Sequence, residues 1–385
     1  MTDSSATSDY SGSPLFVNTD GMLRRLCDEL RRHGRFGFDT EFIRERSYIP
    51  QLCLVQVATD EMVALIDCLA VNMSPFETVL LDPDVQKIVH AGGQDFEICF
   101  LNLEGVPSNI FDVQIAAGLV GMQYPLSYAK LVKQMLDVDV PKEHTFTDWS
   151  IRPLSNAQIN YAAGDVVHLH ALHKELSNQL EQMGRMDWMK QEMLSYQDPR
   201  NYDNDPRRAY TRVRGAQKLS QAQLAILREL AAWREQAARR ADCPPRTFLK
   251  DEAMIGVVRS CPNNLDSLAS VRFFPKPIAK TCGAEILGII KKGKSLKPSF
   301  WPDRLAHDVD AKEKQLVDRL LAAGHDLCQK QQLAHELLGS RRHYTELAKA
   351  DLKQPDLSSL KIMSGWRGMF AGKTLLSELT RTAVG

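Results

Sequence analysis

The feature that most constrains the fold is a change of residue pattern about halfway along the chain. Before residue 196, short strand-like segments, alternating or wholly apolar, are interspersed with segments of helical period. After residue 214, every patterned segment has the helical period. The predicted strands are Arg35–Phe42, Cys53–Val57, Met62–Asp67, Gln86–His90 and Asn109–Val113. The pattern predicts an α/β domain with a mixed sheet flanked by helices, followed by all-α domains.

The predicted helices differ in number and length between the two halves. In the first half they are Gln94–Asn102, Leu126–Met135 and about Ser155–Gln182. Ser155 followed three residues later by Gln158 has the capping-box pattern, which favours a helix start there. In the second half they are Gln221–Ala238, Leu249–Arg259, Leu265–Ser270, Ala284–Lys291 and Ala311–Gln331.

Composition and repetition predict the domain boundaries. Residues 1–14 are rich in Ser, Thr and Asp and are expected to be a disordered tail, not a signal peptide. The first domain is expected at 15–195, and a linker at 196–214, where Asp-Pro occurs twice among charged residues. The stretch Leu249–Gly256 resembles Leu333–Gly339, which favours two related helical domains. Their expected bounds are 215–296 and 297–385.

The formal net charge of zero hides a separation of charge along the chain. Residues 1–210 contain 18 Lys and Arg against 30 Asp and Glu, whereas residues 211–385 contain 30 against 18. Acidic residues can hold metal cations, and basic residues can hold a polyanion such as nucleic acid. An acidic half that binds metal and a basic half that binds nucleic acid are therefore predicted, although a solvated surface on both halves is the simpler alternative.

The eight cysteines and the hydropathy of the chain bear on its compartment. No Cys-x-x-Cys pair occurs, and several cysteines lie in apolar runs. Reduced thiols in a cytoplasmic protein are expected, and neither a disulfide framework nor a zinc site. No run of about 18 apolar residues is present, so no membrane span is expected.

Three separate segments carry carboxylates suited to a hard cation. Asp39 and Glu41 stand at i and i+2 of a predicted strand and project from one face. Asp95 stands at a helix start, after a strand and a turn of small residues. Tyr161 and Asp165 stand at i and i+4 of a helix and share a face. Each pattern alone also suits a structural role, such as an acid at a helix N-terminus.

Together, four acids on three elements and a tyrosine are what a two-metal phosphodiesterase needs. Two divalent ions about 4 Å apart clamp the attacking and leaving oxygens of an in-line displacement. Mg²⁺ or Mn²⁺ prefers carboxylate oxygen and water, and a tyrosine hydroxyl can orient the attacking water. The predicted catalytic residues are Asp39, Glu41, Asp95, Tyr161 and Asp165, and the four acids among them are the predicted metal ligands.

The order Asp-x-Glu, Asp, Tyr-x-x-x-Asp resembles the DEDDy exonuclease superfamily, which has an RNase H-like fold. Longer stretches resemble the ribonuclease D family within it, from about Leu15 to Leu180. The matching stretches are Phe38–Phe42, Tyr48-x-Pro50, Leu54–Gln56, His90–Gly92, Phe111–Ala117 and Asp148–Leu154. The helical segments resemble paired helicase-and-RNase-D C-terminal (HRDC) domains.

The resemblance implies a role for each site residue. Asp39 would bridge both metal ions. Glu41 and Asp165 would complete the ion that activates water, and Asp95 would serve the other ion, directly or through water. Tyr161 would position the water.

The resemblance also implies a substrate. The family releases nucleoside 5′-monophosphates one at a time from RNA 3′ ends, chiefly in transfer-RNA maturation. The expected partner is RNA with a free 3′ end, such as a tRNA precursor. Neither a membrane nor a nucleotide cofactor is expected.

Two other patterns are interpreted as structural. Gly288–Ser295 satisfies the P-loop pattern, but it follows a predicted helix instead of a strand, so a helix end is predicted there. His168, His170 and His173 follow Asp165 on its helix, and the first two do not share a face, which argues against a metal site.

Two alternative functions suit parts of this pattern. One is a DNA-directed 3′→5′ exonuclease of the same superfamily, since a preference for the 2′-hydroxyl cannot be read from sequence. The other is a non-catalytic RNA-binding scaffold, which would not need the acids. In the main hypothesis the basic half anchors RNA, with Lys291–Lys297 as candidate phosphate contacts, and truncation after about Arg214 leaves the chemistry intact.

Overall fold

The computed structural model describes residues 12–103, 105–141, 147–202, 205–305, 311–350 and 357–380. These residues form two compact units. The first unit draws its residues from 1–42, 52–202 and 309–385, and the second from 43–51 and 203–308. Most of the predicted tail, residues 1–11, lies outside the described residues.

One sheet organises the first unit. In the described residues it contains six strands, in the order β1-β4-β3-β2-β5-β6. The strands are β1 Leu15–Val17, β2 Arg35–Ile43, β3 Gln51–Ala58, β4 Val63–Asp67, β5 Gln86–Val89 and β6 Ile110–Asp112. Strands β3 and β4 form an antiparallel hairpin, whereas β1–β4, β2–β5 and β5–β6 pair in parallel. The mixed sheet predicted from the sequence is confirmed, and β1, a strand of three residues, was not predicted.

Helices flank this sheet. They are α1 Asp20–His33, α2 Ser74–Leu80, α3 Gly93–Leu103, α4 Val113–Leu119, α5 Tyr128–Leu136, α6 Asn156–Val167, α7 Leu169–Gln182 and α8 Met186–Leu194. The capping box of Ser155 and Gln158 is present at the start of α6. The prediction of a single helix from Ser155 to Gln182 is wrong, because the chain bends at His168 between α6 and α7. The His168 amide donates to the Tyr128 hydroxyl of α5 (3.3 Å), a long-range contact that the helical period does not reveal.

The second unit is helical. Its helices are α9 Gln221–Arg240, α10 Pro245–Phe248, α11 Asp251–Ser260, α12 Leu265–Ala269 and α13 Lys276–Ser295. A buried ion pair between Arg234 and Asp251 (2.6 Å) joins α9 to the start of α11. The P-loop-like stretch Gly288–Ser295 lies within α13 and ends it, as predicted, although α13 begins earlier than expected.

Residues 43–51, which follow β2 in the chain, belong to this helical unit. The Tyr48 hydroxyl donates to Glu235 of α9 (3.3 Å), and the Tyr48 amide donates to Asp242 (3.1 Å). The guanidinium of Arg239 lies 5.4 Å from the centre of the Tyr48 ring. The segment leaving the strand of Asp39 and Glu41 is therefore held by side chains about 190 residues later in the sequence.

Four further helices, α14 Ala311–Lys330, α15 His335–Leu338, α16 Arg341–Ala348 and α17 Gly365–Thr380, belong to the first unit. Buried Arg185, just before α8, donates to the carbonyls of Leu119 and Gln332 (2.6 Å each) and of Gln331. Arg367 of α17 forms a bidentate ion pair with Glu192 of α8 (2.7 and 2.8 Å). These helices therefore pack as part of the first unit, which contains the sheet.

Two findings complete the description. None of the described helices is both long enough and apolar enough to cross a membrane. All eight cysteines lie in the described residues and are free thiols.

Candidate active site

Strand β2 directs Asp39 and Glu41 to one face of the sheet. A Cβ atom on Gly37 would lie 3.1 Å from the Leu169 side chain, so the Gly37 face of β2 is the face covered by α7. Side chains alternate along a strand, and Asp39 and Glu41 therefore share that face. Asp165 of α6 meets them there. One carboxylate oxygen from each of Asp39, Glu41 and Asp165 lies within 4.8 Å of the other two.

Asp95 lies beside this group but is not one of its three members. It is buried at the start of α3, and its carboxylate accepts a hydrogen bond from the hydroxyl of Thr40. Thr40 stands between the two acids of β2, so its side chain lies on the opposite face of the strand. Thr40 was not among the predicted site residues, although the alternation that places Asp39 and Glu41 on one face of β2 places Thr40 on the other.

Tyr161 lies one helical turn before Asp165. Its hydroxyl lies close enough to the Asp165 carboxylate for each group to affect the pKa of the other. Burial, together with the neighbouring acids, raises the pKa of Tyr161, so the hydroxyl stays protonated at neutral pH. The buried ring of Trp149 packs beside it, with 6.1 Å between ring centres.

Two hydrogen-bonded supports hold the segments that carry these residues. Arg152 donates to both carboxylate oxygens of Asp67 (2.7 and 2.8 Å), which fixes the loop before α6 to the end of β4. Asp112 accepts from the amides of Ala91 and Gly92 (3.0 and 3.2 Å), in the turn that leads to Asp95. Asp112 therefore supports the turn that presents Asp95.

The acids of the site raise one another's pKa values. Burial is the main reason that the pKa of Asp39 is raised well above its usual range, and the charges of Asp95, Asp165 and Glu41 raise it further. Burial likewise raises the pKa of Glu41 to about 8, of Asp165 to about 7 and of Asp95 to about 6. Among the described residues, the largest charge effects on these four groups come from carboxylates. A group of three partly buried acids beside the buried Asp95 suits a hard divalent cation.

This cluster predicts that the metal-free protein loses stability as pH rises. Glu41 has a higher pKa in the folded state than the ordinary value of 4.5. Its protonated form therefore contributes stability that is present below that value and is lost as pH rises through about 8. In EDTA, Glu41→Gln should melt within about 1 °C of wild type at pH 4.5, and about 3 °C or more above it at pH 8.5. Equal melting temperatures at both pH values, measured by scanning calorimetry, would contradict the assignment of Glu41 to an uncompensated cluster.

The three histidines after Asp165 make other contacts. His170 lies 3.0 Å from the Ala58 carbonyl and 3.1 Å from Asp60. His173 packs against the Phe111 ring, with 4.4 Å between centres. In the described part of the chain, the group of Asp39, Glu41 and Asp165 is the one that could bracket an ion, and no histidine belongs to it.

Comparison with known proteins agrees with this geometry. Residues 14–181 match the family described as 3′-5′ exonuclease, and residues 223–290 match the HRDC domain. The ribonuclease D of Gluconacetobacter diazotrophicus is 34% identical, over 94% of this chain and 92% of that protein. The ribonuclease D of Granulibacter bethesdensis is 35% identical, over 95% and 92%.

A solved structure extends the likeness to the fold of the whole chain. The crystal structure of Escherichia coli RNase D, an exoribonuclease involved in structured RNA processing, superposes with a TM-score of 0.84 at 29% identity. The match covers 96% of this chain and 99% of that one. Sequence, fold and the arrangement of acids lead to one conclusion: the chain belongs to the ribonuclease D family of 3′→5′ exoribonucleases.

Proposed function

We propose that this chain removes nucleotides one at a time from RNA with a free 3′ end, including tRNA precursors, by means of two divalent metal ions. The observation that carries the proposal is the group of three carboxylate oxygens within 4.8 Å of one another, with a fourth acid, Asp95, close by. The residues fit such ions, because all the donors are carboxylate oxygens, which Mg²⁺ and Mn²⁺ prefer.

Each acid has a position that suits a distinct part of the metal site. The charges of Asp95, Asp165 and Glu41 all act on Asp39, so it is the acid we assign to both ions. Glu41 and Asp165 would hold one ion with it, and Asp95 would hold the second. When bound, the ions supply stabilisation of the charge on the attacking and leaving oxygens.

Tyr161 is assigned to the attacking water. Its protonated hydroxyl is near the Asp165 carboxylate, one helical turn away, so it can hold a water molecule beside that carboxylate. Tyr161→Phe should lower kcat by about 10²-fold with little change in KM, the lower end of what a positioned proton-transfer group contributes. Tyr210→Phe, in the second unit, is the matched control and should retain wild-type kcat. A kcat for Tyr161→Phe within about twofold of wild type would remove Tyr161 from the mechanism.

The function is tested with single strands of one sequence, made as RNA and as DNA and labelled at the 5′ end. We expect the RNA to give a ladder of 3′-shortened products with Mg²⁺ or Mn²⁺ and to stay intact in EDTA. A 3′-phosphate should slow the reaction, and circular RNA should not be cut. Equal degradation of DNA would favour the DNA-directed alternative, and RNA binding without hydrolysis would favour the scaffold.

The substrate class and the domain roles are part of the same proposal. A tRNA with a short 3′ extension should be trimmed to its mature end. We assign the exonuclease domain to residues 15–195 and a first HRDC-like domain to 215–296, supported by the matches at 14–181 and 223–290. A second HRDC-like domain is assigned to 297–385 on the resemblance of Leu333–Gly339 to Leu249–Gly256. The eight free thiols support a cytoplasmic location.

A further inference from the structure

A basic cavity of about 440 Å³ opens on the surface of the second unit. One wall is a face of α11, where Glu252, Ile255 and Arg259 follow one another at helical spacing. The other walls come from the segment before α9 and from the turn after α12. Its volume lies within the range of about 300–1,000 Å³ that holds small ligands.

The charges around this cavity are predominantly positive. Arg214, Lys218, Arg259 and Arg272 line it, with Glu252 as the single acid among the lining residues. Within the described residues, none of the four cations has an ion-pair partner. Elsewhere in the unit cations are neutralised: Lys292 pairs with Glu229 at 2.8 Å. The cavity therefore collects cations that are free to meet an anion.

An aromatic ring stands at the edge of the same cavity. Phe273 is 61% exposed, and the Arg272 guanidinium lies 4.6 Å from its ring centre. The backbone of Phe273 has φ +65°, in the left-handed region that bulky residues avoid. An exposed ring held by an unfavourable backbone conformation is a common mark of a binding position.

We propose that this cavity binds a nucleotide of single-stranded RNA, with the base stacked on Phe273 and the phosphates on Arg214, Lys218 and Arg259. The combination of an exposed aromatic ring and a positively charged groove is how proteins hold single strands without reading their sequence. The inference rests on the proposed function in one respect, since RNA is taken to be the substrate. It also moves the expected RNA contact away from Lys291–Lys297, where Lys292 is already paired.

The test measures binding of the full-length chain in EDTA, where no hydrolysis occurs. The probe is a fluorescein-labelled oligouridylate of about 16 nucleotides, the upper end of common single-strand site sizes. Phe273→Ala should raise the Kd about 5-fold or more, as expected for the loss of one stacked base. Phe300→Ala is the matched control, because Phe300 is 62% exposed on the same unit and does not line the cavity, and its Kd should stay within about twofold of wild type.

A second pair of variants separates charge from stacking. Arg259→Gln should raise the Kd and reduce the slope of log K against log salt by about 0.7, the value for one phosphate on a single strand. Phe273→Ala should leave that slope unchanged. Arg208→Gln, at another exposed arginine of the unit, should change neither quantity.

Crosslinking gives a readout that does not depend on variant stability. RNA carrying 4-thiouridine should crosslink, on irradiation, to the peptide that contains Phe273. If Phe273→Ala binds as tightly as wild type and the crosslinks map elsewhere, the proposal is wrong, whether or not the enzyme degrades RNA. If the variants lose binding as expected but wild type hydrolyses no RNA, the assignment of RNA binding to the cavity is supported and the proposed function is wrong.

Discussion

Replacing Asp39 with asparagine is expected to lower kcat by about 10³-fold or more while leaving the fold intact. The change removes one charge from the acid that neighbours the other three, and it keeps the size of the side chain. Charge stabilisation by metal ions contributes several kcal/mol to phosphodiester hydrolysis, and each 1.4 kcal/mol corresponds to about a factor of ten. Single-turnover hydrolysis of labelled RNA at saturating enzyme measures the loss.

Two controls make the Asp39 result specific. Asp28→Asn changes an acid that is 76% exposed on α1, and its kcat should match that of wild type. Mn²⁺ should raise the melting temperature of wild type, because a ligand that binds only the folded state stabilises that state. The same addition should leave the melting temperature of Asp39→Asn unchanged, because this variant should not bind the ion. Wild-type activity in Asp39→Asn would refute the site as a whole.

Deleting the chain after residue 308 is expected to unfold the catalytic half and to leave insoluble protein. The deletion removes two of the three carbonyl partners of Arg185 and the ion-pair partner of Glu192. It also uncovers the ring of Trp188, which stacks on Trp366 with 4.8 Å between centres. The sequence had led us to expect that truncation after about Arg214 would spare the chemistry, and these contacts now predict the opposite.

Point variants test the contribution of single contacts to stability without shortening the chain. Arg367→Ala removes the ion-pair partner of the Glu192 carboxylate, whose side chain is 12% exposed, and should cost about 3–5 kcal/mol of folding free energy. Arg341→Ala breaks an ion pair whose two side chains are 54% and 51% exposed, and it should cost under about 1 kcal/mol. Urea unfolding of the intact chain measures both. A soluble, active fragment ending at residue 308 would show that the last helices are dispensable.

The sequence predicted those parts of the structure that depend on residues close together in the chain. The period-two alternation of β2 was enough to place Asp39 and Glu41 together, and one helical turn was enough to relate Tyr161 to Asp165. The capping residue Ser155 marked the start of α6 for the same reason. Each of these relations spans at most four residues, so no knowledge of tertiary packing was required.

The parts that could not be predicted depend on residues far apart in the sequence. The hydrogen bond from Thr40 to Asp95 spans 55 residues, and the one from Tyr48 to Glu235 spans 187. The contact between Arg185 and Gln332 spans 147 residues. Composition and period carry no information on such pairs, which is why the assignment of the last helices to the catalytic half had to come from the structure.

The first unit, which carries the active site, is built from residues before and after the second unit in the sequence. The first unit can therefore finish folding only after its last helices have been synthesised. The ribosome makes the segment bearing all four acids first, then residues 203–308 of the second unit, and only then the helices that cover Trp188 and neutralise Glu192. At about 5–20 residues per second, roughly 10–40 s separate these events. A nascent or prematurely terminated chain therefore holds the acids without their supporting packing. We expect nuclease activity to belong to the finished polypeptide alone, which would protect nearby RNA from incomplete copies of the enzyme.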